Sequence, residues 1–172
     1  MRAFQFGCML LTTWLAYAMP AQADTVVPER LLGLSEQELA NAVPNATRSQ
    51  RPAVGPHGSR GLWLLADANV GSLHFEATFY FKNKIVARVE ERRRTLDNNN
   101  CNAAYTALLA SLTARYGVAV QSDSGLANEG QSRSAAWAAD DFKVAAYRMP
   151  SASQCDLLVA FEPLAQRDAS EL

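Results

Sequence analysis

Across 172 residues, 16 Lys and Arg face 17 Asp and Glu, so the chain carries a formal charge of −1 and has no field to gather nucleic acid or an anionic membrane surface. Apolar residues make up 49% of it, enough to build a folded core and too many for a disordered chain.

The chain opens on Arg2, an uncharged and largely apolar run over residues 3–18, and the small-x-small pattern Ala21-Gln22-Ala23. This is the pattern of a secretory signal peptide, residues 1–23, cut after Ala23. An uncleaved anchor is the competing reading. It is disfavoured because Gln5, Thr12 and Thr13 interrupt a run already short for a span of ~20 residues. Cys8 lacks the apolar stretch that precedes a lipidated cysteine and is expected to leave with the signal. Residues 24–172 then form a single domain of 172 − 23 = 149 residues with a charge of 15 − 17 = −2, and no integral membrane segment is expected in it.

Leu34-Ser35-Glu36-Gln37-Glu38-Leu39 carries a capping box, Ser35 with Glu38, inside a hydrophobic staple, Leu34 with Leu39. A short helix is predicted here, ended by Val43-Pro44. Residues 45–60 hold Pro52, Gly55, Pro56 and Gly58 without a periodic apolar set, so they read as a long surface loop, either a connector or a partner contact. Residues 61–67, GLWLLAD, read as a buried strand.

The clearest periodic signal follows over residues 72–94. Leu73, Phe75, Ala77, Phe79 and Phe81 alternate with His74, Glu76, Thr78, Tyr80 and Lys82, the pattern of a half-buried strand. After a polar break, Ile85, Ala87 and Val89 alternate with Val86, Arg88 and Glu90, so the two form an antiparallel hairpin. A two-residue Asn83-Lys84 loop pairs Phe81 with Val86 and Phe79 with Arg88, putting charge among the phenylalanines. A three-residue loop, Lys82 to Lys84, pairs Phe81 with Ile85, Phe79 with Ala87 and Ala77 with Val89, and is preferred, although it wants a left-handed residue near Lys84. Arg92-Arg93-Arg94, beside Glu90 and Glu91, reads as a solvated strand end rather than an anion site.

Asn98-Asn99-Asn100 supplies capping candidates for a main helix over residues 101–116, whose stripe is Tyr105, Leu108, Leu109, Leu112 and Tyr116, with Gly117 as its C-terminal cap. Residues 118–133 are polar, with one short extended piece at 118–121. Three strands follow, at 135–139, 142–149 and 157–161, separated by the turns at Asp140-Asp141 and 150–154. The tail, 163–172, is expected to fray. The fold class is α+β: an antiparallel sheet of about six strands with two helices packed on it, arranged as an αβββ pseudo-repeat in which GLWLLAD corresponds to SAAWAAD and IVARVEE to DLLVAFE.

Two cysteines remain after export, Cys101 and Cys155. In an oxidising compartment an even pair is most simply a disulfide, here tying the last strand to the start of the main helix.

No GxSxG, HExxH, phosphate loop or metal-ligand cluster occurs, and the only histidines are His57 and His74. Adjacent carboxylates such as Glu90-Glu91 fall on opposite faces of a strand. The chain is therefore read as non-catalytic, with no cofactor and no metal site. Its best candidate for recognition is the outer face of the hairpin, His74, Glu76, Tyr80 and Arg88, an aromatic and charged mixture.

LGLSEQEL with its following proline, the aromatic hairpin and the helix closing in ARYG resemble small exported bacterial α+β proteins. The layout is similar to the β-lactamase-inhibitor-protein-like group and to the small lipoproteins of outer-membrane assembly, though without the lipidation cysteine of the latter. The resemblance implies a periplasmic or secreted binding protein whose partner is another envelope protein, an inhibitor or immunity-type factor. The alternative is a structural accessory of cell-envelope assembly. It carries over no functional residue.

Overall fold

The computed structural model describes residues 26–95, 97–122, 131–139 and 141–164. The segment expected to be a signal peptide, residues 1–23 with Cys8, lies outside the described residues, as do Asp140 and most of the tail.

Among the described residues eight strands form one antiparallel sheet: β1 (Thr47–Val54), β2 (Arg60–Val70), β3 (Leu73–Lys82), β4 (Ile85–Thr95), β5 (Gln121–Ser122), β6 (Arg133–Ala138), β7 (Phe142–Pro150) and β8 (Cys155–Pro163). The helices are α1 (Glu36–Ala42) and α2 (Asn98–Tyr116). Strand order is β1-β2-β3-β4-β8-β7-β6-β5. Each helix is thus followed by a four-strand meander, and the two meanders meet last strand to last strand at β4 and β8. The repeat is αββββ, not αβββ, and the sheet has eight strands instead of about six.

The two added strands explain the difference. Residues 45–60 are not a loop: residues 47–54 form β1, which pairs with β2. As an edge strand with no fully buried residue, β1 has no apolar face to write into its sequence. β5 is only two residues long and meets β6 through Gln121 and Ser122.

The hairpin turn also departs from the preferred register. The loop has two residues, Asn83 and Lys84, with φ of 53° and 69°, the left-handed pair that matches strand twist in a tight hairpin. Phe81 therefore faces Val86. One residue further Tyr80 faces Arg88 and Phe79 faces Val89, so Ala87 is the extra residue of a β-bulge. The bulge removes the conflict that made the short loop unattractive. Val86 and Val89, three apart, both reach the core, while Ile85 is 44% exposed.

One sheet face forms that core with the helices. Phe75, Ala77 and Phe79 of β3, Leu157, Val159 and Phe161 of β8, and Val144 and Trp137 of β7 and β6 pack with Leu39 of α1 and with Cys101, Tyr105, Leu108 and Leu112 of α2. Burying such a face is the main stabilising term. Local chemistry fixes both helices. Ser35 and Glu38 close the capping box, with the Ser35 N–H donating to Glu38 at 2.8 Å and the Glu38 N–H donating back to Ser35 at 3.4 Å. The Ser35 N–H and then its hydroxyl, both donating to the Glu38 carboxylate, hold that carboxyl below its ordinary pKa. At α2 the cap is Asp97, one residue before the asparagine run, whose side chain accepts from the Asn100 N–H at 2.7 Å. Gly117, at φ 81°, ends the helix as expected. Cys101 and Cys155 stand at disulfide distance, Cα–Cα 6.1 Å.

Among the described residues no helix is long and apolar enough to cross a membrane.

Candidate functional site

The helices lie on one face of the sheet, and strand alternation sends a second set of residues to the other. His74, Glu76, Thr78 and Tyr80 share that outer face by the period of two along β3, and Arg88 joins them opposite Tyr80. Glu90, Arg92 and Arg94 continue it on β4, paired with Thr78 and Glu76 of β3 and with Asp156 of β8 respectively. Arg93 takes the inner-face register and Glu91 is buried there, which separates Glu90 from Glu91 as a strand requires.

The four expected residues share a face, but they do not form one cluster. His74 lies six residues from Tyr80, about 20 Å along the strand. Its Nδ1 is 2.9 Å from Asp67 Oδ1, in an exposed pair at the end of the hairpin. Tyr80 is buried, contrary to its expected place on a solvated face, because its ring lies over two backbones that lack side chains. A Cβ on Gly61 would stand 3.2 Å from Tyr80 Cε1, and one on Gly55 would stand 2.7 Å from the same atom and closer still to Cδ1. Burial, with the Glu90 carboxylate second, pushes the Tyr80 hydroxyl above its ordinary pKa, so it stays a neutral hydrogen-bonding group.

Arg88 is held by carboxylates. Its Nε donates to Glu90 at 2.6 Å, and its guanidinium also pairs with Glu162, which takes Lys143 at 2.7 Å on its other oxygen. This chain of charges runs over β4, β8 and β7 and so crosses the seam between the two meanders. A second crossing lies beside it, where Asp156 of β8 pairs with Arg92 and stands 3.8 Å from Arg94.

Between β1 and β4 the outer face hollows into a cleft of about 460 Å³ lined by Arg51, Glu76, Tyr80, Glu90, Arg92 and Arg94, among others. Glu76 and Tyr80 were named from the sequence; the four others were not. Arg92 and Arg94 belong to the arginine run read as a solvated strand end, whose alternate members in fact share the cleft wall. Arg51 lies in the segment read as a loop. Only the strand assignment of residues 47–54 turns it toward this face.

No family model matches the chain, and no curated protein or solved structure matches it. The site is therefore read on its chemistry alone.

His57 sits at φ 54° in the turn Pro56–Gly58 and lines a second cleft with Ser59 and Glu162, but the Ser59 hydroxyl donates to the Pro56 carbonyl at 2.8 Å. Among the described residues no group of three or more His, Cys, Asp or Glu side chains is placed to hold a metal ion.

Proposed function

We propose that this protein is an exported, non-catalytic binding protein of the cell envelope, an inhibitor or immunity-type factor that takes another envelope protein on the outer face of its sheet. One observation carries the reading. Both α-helices sit on the same side of an eight-stranded sheet, so among the described residues neither α1 nor α2 covers the other side. That side offers the buried ring of Tyr80, half-buried Tyr147 two strands from Arg92 across β8, and arginine–carboxylate pairs, the composition enriched where proteins meet.

The surface is held in shape before any partner arrives. Arg88 and Arg92 are fixed by carboxylates across the seam, and Tyr80 by two glycine backbones, so little side-chain entropy would be lost on docking. The cysteine pair at disulfide distance fits an oxidising compartment.

The test is capture from an envelope extract on the immobilised protein, comparing the native chain with Glu76→Arg plus Arg94→Glu. Both positions are exposed, so the fold should be kept, as circular dichroism would check. The reading expects one saturable partner lost by the double variant. Equal recovery by both would move the interface elsewhere.

A further inference from the structure

The covered face holds a polar cleft of its own. A cavity of about 400 Å³ opens between the C-terminal half of α2 and the sheet, lined by Glu91, Ser111, Arg115, Tyr116, Gly71 and Phe161, among others. Glu91 is 1% exposed and faces Ala77 and Val159 on the neighbouring strands, so the sheet gives it no polar company. Its Oε2 is buried without a hydrogen-bond partner. Nearby, Glu29 accepts from Arg115 Nη2 at 2.7 Å. The Tyr116 hydroxyl reaches the same carboxylate, and burial, with Glu29 second, raises its pKa.

A buried oxygen without a partner, as Glu91 Oε2 is, is costly, since it gives up water and gains nothing. Glu91 and Tyr116 can both accept. We propose that this cleft binds a small molecule through a single primary ammonium group, held by Glu91 and Tyr116 with the Glu29–Arg115 pair beside them. An ammonium carries three donors on one compact charge. Charge selects a monovalent cation. Glu29, ionised Glu91 and Arg115 sum to −1, which one positive charge cancels, whereas a divalent metal would overshoot and would want more oxygen ligands than the site offers. The last turn of α2 adds the negative end of a 19-residue helix.

Without a cation, burial pushes the Glu91 carboxyl up to about 8, with Arg115 opposing and Glu29 reinforcing the shift, so at neutral pH it holds a proton. Uptake of R–NH3+ then releases that proton to water, and affinity rises with pH until Glu91 is ionised. No other charged group is seen to act on it: Glu29 and Arg115 are the charges on the elements packed against it, and β3 and β8 present apolar side chains.

The experiment is an amide-resolved NMR titration of the full exported domain with butylammonium chloride, at about pH 7 and about pH 8.5, with sodium butyrate and butanol as matched controls. Saturable shifts centred on Gly71, Ser111 and Tyr116 are expected with butylammonium alone. Apparent affinity should rise by as much as about tenfold per pH unit below the Glu91 midpoint. Glu91→Gln keeps the shape and removes the charge, so it should weaken binding at least about tenfold and abolish the pH dependence. If that variant does not fold, Tyr116→Phe, which loses one acceptor only, should still weaken binding. Absence of saturable shifts in the native protein overturns the proposal. Equal binding of butyrate also overturns it, since Arg115 would then be an anion site, as does unchanged affinity in the folded variants. The outer-face reading stands or falls separately.

Discussion

Tyr80 lies over the bare backbone of Gly55: a Cβ on that glycine would stand 2.7 Å from the ring's Cε1. The contact joins the residue after β1 to the C-terminal part of β3, at the wall of the outer cleft that Tyr80 lines. Gly55→Ala should therefore displace the ring and destabilise the fold by about 1–3 kcal/mol, the usual cost of overpacking. In a Tyr80→Ala background the same substitution should cost less, the remainder coming from the Ser59 hydroxyl, 2.5 Å from the same Cβ. Urea unfolding of the four proteins measures this coupling, and additive costs would show that the ring does not rest there.

The Cys101–Cys155 pair closes a separation of 54 residues between the start of α2 and β8. As a disulfide it should stabilise by about 4 kcal/mol through the unfolded chain. Replacing both cysteines with serine should lower the urea midpoint accordingly. Non-reduced mass spectrometry of protein isolated without reductant should find the cross-linked peptide, and two free thiols would refute the bond.

Glu91 gives stability a pH dependence of the less common sign. Its folded carboxyl is raised to about 8 from 4.5, so the folded state holds the proton more tightly than the unfolded chain. The contribution is full below about pH 4.5 and is lost as pH rises through about 8, at up to about 1.4 kcal/mol per pH unit from this one group. Denaturant midpoints across this range should fall more steeply for the native protein than for Glu91→Gln. Parallel curves would mean that Glu91 is ionised in the fold.

The hairpin explains where sequence reasoning held and where it stopped. Phe75, Ala77, Phe79 and Phe81 are buried as their alternation requires, and the Ser35–Glu38 box and Gly117 cap mark helix ends through bonds only a few residues long. The register across Asn83-Lys84 was not legible, because the bulge at Ala87 has no residue signature and shifts every later pair by one. β1 escapes the sequence for a different reason: an edge strand with no fully buried residue has no apolar period, so nothing local distinguishes the segment around Arg51 from a loop. The outer cleft needs four strands side by side, a fact of strand order that no local pattern encodes. Glu91 was legible only as a charge; its burial follows from standing opposite Val159, 68 residues away in a strand whose pairing was unknown.

The turn itself offers a cleaner test. Lys84 holds φ 69°, which a β-carbon disfavours and glycine accepts. Lys84→Gly should stabilise the protein by about 0.5–1 kcal/mol, net of the entropy glycine adds to the unfolded chain. A loss of stability would indicate that the turn is not the two-residue left-handed pair.

The central claim is that a partner docks on the outer face of the sheet, and site-specific photo-crosslinking in intact cells tests it most directly. A photoreactive residue at exposed Glu76 should give a discrete adduct with an envelope protein, while the same residue at exposed Thr113, on α2 and the opposite side, should give none. Adducts from Thr113 with none from Glu76 would contradict the account.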